Sequence, residues 1–191
     1  MDFPELKTDR LILRPFVASD AAELYAIHSD VEAMRWFGSN PAQTLEDAEK
    51  ILQFFMALPQ QAVPGMRWAI VRRADLQLMG SCGFFKWDRA WHNCQIGYEL
   101  GRDAWGQGYM QEALGAMLDW LFAHVRLNRI EARVHPLNSA SLKLLGKLGF
   151  VVEGTQREAG YWHDQYHSLV LLSLLAAEFA TPRTGVLVNN G

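Results

Sequence analysis

The sequence predicts a layered α/β (α+β) domain in which a mixed sheet carries helices on its faces. Three observations predict this class. Segments with strand-like alternation occur before, between and after segments with helical periodicity. Three consecutive strand-like segments in the middle of the chain are separated by short polar stretches, which is typical of antiparallel hairpins. A segment after Gly108 carries an apolar stripe at helical spacing, as a helix packed on a sheet would.

The first part of the chain is predicted as one strand over residues 11–16 followed by two helices. Asp20 is expected to cap the first helix, which continues at helical spacing to Met34. Thr44 is expected to cap the second helix, and Pro59 ends it. The strand and the two helices together predict the first edge of the sheet and one layer above it.

The remaining elements are predicted in the order three strands, helix, strand, helix and two strands. The strands fall at residues 68–72, 78–87, 93–100, 129–134, 150–153 and 166–174. The helices follow Gly108 and Asn138. We expect a single domain over residues 1–180, because 191 residues suit one domain, and a flexible polar tail over residues 181–191.

Composition argues against several classes of protein. The formal net charge is -3, whereas a general nucleic-acid binder is usually basic, so no nucleic-acid partner is expected. No apolar stretch is long enough to span a bilayer, and we expect no membrane partner and a cytoplasmic location. A homodimer is left open.

Neither the cysteines nor the histidines show metal-site spacing. Cys82 and Cys94 do not form a Cys-x-x-Cys pair, so buried reduced thiols are expected, with a disulfide as the alternative. His163 and His167 are four residues apart, but a predicted hairpin does not place them on one helical face. We therefore expect no metal.

The segment over residues 98–113 runs from a strand through a glycine-containing loop into a helix. Gly106 and Gly108 let the backbone turn sharply and approach a ligand closely. The N–H groups of the loop and of the first helical turn would then form an anion site suited to a pyrophosphate. A plain strand–helix turn is the alternative. No Gly-Lys-Ser/Thr follows, which excludes a P-loop, and two glycines do not make the dinucleotide fingerprint.

This segment resembles the acetyl-CoA-binding motif of the GNAT acetyltransferase superfamily, Gln/Arg-x-x-Gly-x-Gly/Ala. Gly106 and Gly108 match its glycines, while Asp103 stands where Gln or Arg is usual, with Arg102 just before it. Further segments resemble the RimJ/RimL-type branch, which acetylates protein N-termini among other amines. The resemblance covers roughly residues 6–176, and its motifs lie at residues 6–16, 105–113, 138–150 and 160–166.

The resemblance implies acetyl-CoA as co-substrate and a mostly antiparallel twisted sheet with a V-shaped split between two central parallel strands. These strands are residues 94–100 and 129–134 here, and the pantetheine arm would lie in the split. Asn138 is either only a helix N-cap or also a ligand of that arm. The residues expected to bind acetyl-CoA are Tyr98, Leu100, Trp105, Gly106, Gln107, Gly108, Tyr109, Met110 and Asn138.

Two residues are predicted to be catalytic. By resemblance Ser141 faces the sulfur and protonates the leaving thiolate, with a surface hydroxyl as the alternative. Glu99 ends the strand that enters the loop, and we expect it to act as general base through a water, with a somewhat raised pKa. An ion-paired or substrate-positioning carboxylate is the alternative for Glu99, and Glu158 is the rival base.

The predicted activity is transfer of acetyl to a primary amine by direct attack in a ternary complex. A protein α-amine has a pKa of about 7.7–8.0 against about 10.4 for lysine, which favours an N-terminal acceptor. A small amine such as an antibiotic, a polyamine or an amino-acid-like metabolite is the alternative, and a CoA-binding sensor or scaffold is the non-enzyme alternative. The residues expected to contact the acceptor are Trp36, Tyr161, Trp162 and Asp164, although Asp164 could simply hold its turn and the aromatic residues could belong to the core.

Overall fold

The structure is a computed structural model that describes residues 3–179, so the predicted tail over residues 181–191 lies outside the described residues. The described strands are β1 (Leu6–Lys7), β2 (Leu11–Arg14), β3 (Met66–Arg72), β4 (Leu78–Asp88), β5 (Asn93–Leu100), β6 (Arg129–Val134), β7 (Val151–Trp162) and β8 (Gln165–Leu175). The described helices are α1 (Ala21–His28), α2 (Val31–Met34), α3 (Leu45–Ala57), α4 (Tyr109–Trp120), α5 (Ser139–Lys147) and α6 (Ala176–Phe179).

The strands form one mixed sheet in the order β1-β2-β3-β4-β5-β6-β8-β7. Six of its seven described pairings are antiparallel, and only β5 and β6 run parallel. These two strands pair through Asn93–Gln95 and Arg129–Glu131 alone in the described part of the chain. The later part of β5 therefore has a free edge towards β6, which confirms the predicted split between two central parallel strands.

Helices cover both faces of the sheet, as β3 shows most clearly. Trp68 and Ile70 point into a core that α4 and α5 close, whereas Ala69 and Val71 point into a second core beneath α1 and α3. Successive strand residues face opposite sides, so a strand buried along its length needs a layer on each side. The fold class predicted from the sequence is confirmed.

The prediction for the first helix is wrong in two respects, the residue that caps it and the residue at which it ends. The Asp20 carboxylate does not cap α1 but accepts a hydrogen bond from Val17 N and pairs with the Arg14 guanidinium. The helix ends at His28, and Asp30 caps the separate helix α2 by accepting from two backbone N–H groups. An aspartate side chain that accepts from the backbone N–H groups ahead of it can end one helix and start another without breaking the apolar spacing.

The cap of the next helix is confirmed. Thr44 accepts from Asp47 N, and the Asp47 carboxylate accepts in return from Thr44 N, which forms a reciprocal capping box. The predicted thiols are also confirmed, since Cys82 and Cys94 are buried and free. Burial raises the pKa of Cys82 to about 12, so this thiol stays protonated.

The largest difference from the predicted strands lies in the closing hairpin. β7 spans Val151–Trp162, whereas the sequence predicted a strand over residues 150–153. The strand lies at the edge of the sheet, is almost wholly exposed, and shifts register near Gly154 and Glu158. An exposed, bulged edge strand lacks the regular apolar alternation that predicts a strand.

Candidate active site

A cavity of about 600 Å³ opens beside the end of β5, between the start of α4 and one face of α5. It brings together most of the predicted site, namely Trp36, Tyr98, Glu99, Leu100, Trp105, Gly106, Gly108, Tyr109, Met110, Asn138 and Ser141. Gln107, Tyr161, Trp162 and Asp164 do not line it. A second cavity, of about 670 Å³ beside Lys86 and Trp87, is lined by none of the predicted site residues. The first cavity is therefore the candidate active site.

The glycine loop has the backbone conformation that its two glycines permit. Gly106 and Gly108 have φ of +72° and +79°, which is the left-handed region that favours glycine. The N-cap residue Gly108 offers no side-chain acceptor to the first turn of α4, and this turn lines the cavity. The Trp105 indole N–H donates to the Leu100 carbonyl at 2.9 Å and closes the loop against the strand. This arrangement fits an anionic ligand.

The loop is held from outside the cavity by the N-terminal segment. Arg10 donates to the Gln107 carbonyl at 2.9 Å and to the Glu112 carboxylate at 2.6 Å. Its guanidinium also lies 4.4 Å from the centre of the Tyr109 ring, and Thr8 donates to Glu112 at 2.6 Å. Two sequence motifs a hundred residues apart therefore form one structural unit, which the sequence did not show.

The start of α5 places two hydroxyl groups side by side. Asn138 caps the helix by accepting from Ser141 N at 3.1 Å, as the simpler interpretation of this residue predicted, and it also lines the cavity. The Ser141 hydroxyl shares a hydrogen bond of 2.5 Å with the Tyr98 hydroxyl. Burial raises the pKa of Tyr98 to about 12, so the phenol stays protonated and can pass a proton through Ser141 to an acceptor in the cavity.

Glu99 lies at the floor of the cavity in a buried network that the sequence did not predict. Its carboxylate pairs with the Arg67 guanidinium, accepts from Ser81 Oγ at 2.5 Å, and lies 3.4 Å from His28 Nε2. Arg67 also donates to Ser81 at 2.6 Å, and only 3% of the Glu99 side chain is exposed. Both carboxylate oxygens therefore already have partners.

The expected raised pKa of Glu99 is wrong in direction. Burial alone would raise this pKa, but the positive charge of Arg67 and the hydrogen bonds from His28 and Ser81 outweigh burial and hold it below its usual value. The ion-paired carboxylate, which the sequence left as an alternative, is the one that the structure contains. Whether Glu99 also accepts a proton during the reaction stays a prediction.

Arg67 is enclosed by aromatic rings as well as by Glu99. Its guanidinium carbon lies 4.7 Å from the centre of the Phe55 ring and 5.4 Å from that of Phe37, and Phe37 lines the cavity. A guanidinium over aromatic faces is stabilised by the ring electrons even where water is excluded. The rings come from α3 and from the segment that follows α2, and the network reaches the cavity through Glu99.

The residues predicted to contact the acceptor occupy two different positions. Trp36 lines the cavity and stacks on His135 with 4.1 Å between ring centres. Trp162 is buried. The centre of its ring lies 3.7 Å from that of His167 and 6.0 Å from that of His135. One aromatic cluster therefore joins the α2 side of the cavity to the closing hairpin, with Trp36 at its exposed end.

The other predicted residues of the hairpin lie away from the cavity. Tyr161 is exposed and packs on Tyr166, and Asp164 lies in the turn with φ of +56°. Glu158, the rival base, is exposed at a register shift of β7, where its N–H donates to Ser168 at 3.3 Å. Neither carboxylate lines the cavity.

The comparisons with known proteins agree with this geometry. The family model described as an acetyltransferase (GNAT) domain matches residues 10–151. The chain belongs to the GNAT acetyltransferase family. Its fold is that of a Bacillus anthracis GNAT-family acetyltransferase of known structure, with a TM-score of 0.81 at 23% identity over 92% of this chain and 100% of that one.

Two relatives indicate the branch of the family that this chain resembles. The uncharacterized N-acetyltransferase YoaA of Bacillus subtilis is 37% identical over 83% of this chain and 89% of its own length. The Escherichia coli [ribosomal protein uS5]-alanine N-acetyltransferase is 32% identical over 49% of this chain and 48% of its own length. The resemblance to the RimJ/RimL-type branch is confirmed, and the protein is an N-acetyltransferase.

Other features of the described residues bear on cofactors and partners. GNAT acetyltransferases use acetyl-CoA as co-substrate. Among residues 3–179, no group of three or more histidine, cysteine or acidic side chains is placed to hold a metal ion. Within the same range, no helix has both the length and the apolar character needed to cross a bilayer.

Proposed function

We propose that this GNAT enzyme transfers acetyl from acetyl-CoA to the N-terminal α-amine of a protein, by direct attack in a ternary complex. The observation that carries the proposal is the state of Glu99. It is the buried carboxylate of the cavity, and Arg67, Ser81 and His28 already engage it. A carboxylate held ionised in this way is a weak base, so the acceptor has to arrive neutral.

The requirement for a neutral acceptor distinguishes between amines. A protein α-amine, with a pKa of about 7.7–8.0, is partly neutral near pH 7, whereas a lysine amine at about 10.4 is neutral in only a small fraction. The named activity of the Escherichia coli relative, alanine N-acetylation of ribosomal protein uS5, is of the same kind. Trp36 lines the cavity, and in this proposal it packs against the first residue of the acceptor.

The hydroxyl pair serves the leaving group. The amine nitrogen attacks the thioester carbonyl, a C–N bond forms and the C–S bond breaks. Ser141 donates its proton to the departing sulfur and regains one from Tyr98. The nitrogen releases one proton to water, and Tyr98 regains one from water, so the sum is amide and free CoA thiol. A thiolate is a good leaving group, and a neutral hydroxyl is acid enough for this step.

The glycine loop and α5 position the co-substrate. The N–H groups from Gly106 to Met110 bind the pyrophosphate, and the free edge of β5 near Tyr98 and Leu100 takes the pantetheine amides as an added strand would. Asn138, which lines the cavity at the start of α5, contacts the pantetheine arm in this proposal. These contacts bring the thioester to Ser141 and Glu99.

An acceptor panel tests the proposal. Three acceptors are compared at pH 7 with saturating acetyl-CoA: a peptide with a free α-amine and no lysine, the same peptide with a blocked N-terminus and one lysine, and a polyamine. We expect kcat/KM to be at least about tenfold higher for the free α-amine, in keeping with the difference in pKa. A preference for the polyamine or for another small amine would contradict the N-terminal acceptor and leave acetyl transfer intact.

A further inference from the structure

One wall of the cavity is formed by α2 and the turn that follows it. Ala33, Trp36 and Phe37 line the cavity there. Asp30 fixes this segment, because its carboxylate caps α2 and also accepts from Arg102 Nε at 2.5 Å. The wall is therefore tied to the segment that leads from β5 into the glycine loop, and it is held in place beside the co-substrate site.

The Phe37 ring of this wall is held from two sides. Its centre lies 5.2 Å from that of the His28 ring, in an edge-to-face arrangement, and 5.4 Å from the Arg67 guanidinium carbon. His28 and Arg67 also engage the Glu99 carboxylate, so Phe37 lies next to Glu99 at the floor of the cavity. Protein interiors are close-packed, and a ring that swings aside here would lose its contact with a buried guanidinium. The floor of the cavity beside Glu99 is therefore rigid.

The proposed reaction places the acyl group of the donor at this floor. The thioester sulfur faces Ser141 and the acceptor amine enters beside Glu99, so the acyl carbon lies between these two residues. The alkyl end of the acyl group then has to fit against the cavity floor, where Phe37 presents an apolar ring. We propose that Phe37 forms the end of the acyl pocket and makes the enzyme selective for acetyl-CoA over propionyl-CoA and longer acyl-CoA thioesters. This inference rests on the proposed function.

Calorimetric titration without acceptor tests this role with CoA, acetyl-CoA and propionyl-CoA. The wild-type protein should bind propionyl-CoA at least about tenfold more weakly than acetyl-CoA, because a rigid pocket disfavours one additional methylene to that extent. In Phe37→Ala this preference should fall to within about threefold, because the shorter side chain leaves room for the methylene. CoA, which has no acyl group, should bind equally to both proteins. The kcat/KM values of the two donors, measured with one α-amine peptide, should change in parallel.

Two further variants separate the acyl pocket from general damage to the fold. Phe54→Ala removes an exposed phenylalanine outside the cavity and should keep the wild-type preference. Phe37→Leu keeps an apolar side chain at the floor and should show a preference between those of the wild-type protein and Phe37→Ala. If Phe37→Ala also loses affinity for CoA, Phe37→Leu decides the question with the same three ligands.

The contrary results are distinct from one another. Equal affinity of the wild-type protein for acetyl-CoA and propionyl-CoA would overturn the inference and leave the acetyl-CoA site in place. A wild-type preference retained in both Phe37 variants would also overturn it. A changed KM for the peptide with an unchanged donor preference would assign Phe37 to the acceptor instead. Binding of none of the three ligands by the wild-type protein would overturn the proposed function itself.

Discussion

The two walls of the cavity are built in different ways. The glycine-loop wall is made of backbone N–H groups from one short segment, and its residues lie next to each other in the sequence. On the other wall Glu99 lines the cavity, and it is held from behind by side chains from α1, β3 and β4, which meet it only in the folded protein. In the proposed mechanism, the pyrophosphate contacts therefore come from one short segment, whereas the state of Glu99 depends on how four elements pack together.

Because the two walls are built differently, substitutions in them should affect different properties, namely the affinity for acetyl-CoA and the stability of the fold. Backbone donors at a helix start keep their geometry when a nearby surface side chain changes, so damage to this wall should appear mainly in the affinity for acetyl-CoA. Removing one member of a buried ion pair leaves the other charge unpaired in a medium that solvates it poorly. Damage to the Glu99 wall should therefore appear first in stability.

The largest effect is expected for Glu99→Gln. This change leaves Arg67 buried without its carboxylate and should lower the free energy of unfolding by about 3–5 kcal/mol, as measured by urea denaturation. Arg67→Met/Glu99→Gln removes both charges and should recover most of that loss.

The double variant also separates the two roles of Glu99. If Glu99 serves as the partner of Arg67, the kcat of Arg67→Met/Glu99→Gln should stay within about tenfold of wild type with a neutral acceptor. A loss of about 10²–10⁴-fold, the usual contribution of a positioned base, would instead assign the general-base role to Glu99.

The next effect concerns the opposite wall. Gly108→Val places a β-branched residue at a φ of +79° and crowds the loop, so the affinity for acetyl-CoA should fall by well over about tenfold in calorimetry. Gly146→Ala, on an open face of α5, is the matched control and should bind normally. Unchanged affinity in a folded Gly108→Val protein would show that the loop does not bind the pyrophosphate.

A smaller effect is expected at the leaving group. Ser141→Ala removes the hydroxyl placed to meet the thiolate, so kcat should fall by about tenfold or more while the KM for acetyl-CoA changes little, because the bond strengthens as the sulfur gains charge. Tyr98→Phe, which removes only the second hydroxyl of the pair, should lower kcat less. Wild-type kcat in both variants would show that these hydroxyls have only a structural role.

The smallest effect is expected at the acceptor end. Trp36→Ala should raise the KM for a peptide acceptor by about 2- to 10-fold, the range of one aromatic contact, and leave the affinity for acetyl-CoA unchanged. Trp91→Ala removes an exposed tryptophan outside the cavity and serves as the control. A fall in acetyl-CoA affinity for Trp36→Ala would show that Trp36 contacts the co-substrate and would contradict its assignment to the acceptor.

The sequence predicted what depends on neighbouring residues. The order of elements from β3 to β8, the glycine loop, the cap at Thr44 and the place of Ser141 at a helix start all follow from local spacing, and the structure has each of them. The split in the sheet was predicted only from the resemblance to the family, which four motifs in the same order carry. The break at Asp30 was missed because the apolar spacing continues across it.

The partners of Glu99 could not be predicted in the same way. Arg67 lies on β3 among residues that are also buried. The sequence of this strand does not indicate which carboxylate the Arg67 guanidinium pairs with. The separation of Arg67 from Glu99 is set by the pairing of β3, β4 and β5, which the sequence alone does not fix.

The most direct test of a neutral acceptor is the pH dependence of kcat/KM with two peptides whose α-amines differ in pKa by at least about one unit. Because Glu99 is held ionised by Arg67, we expect each profile to rise with pH and to level off near the pKa of that peptide's own amine. The midpoint should therefore move with the acceptor. A midpoint that is the same for both peptides and disappears in Arg67→Met/Glu99→Gln would instead identify a titrating base in the enzyme and contradict this mechanism.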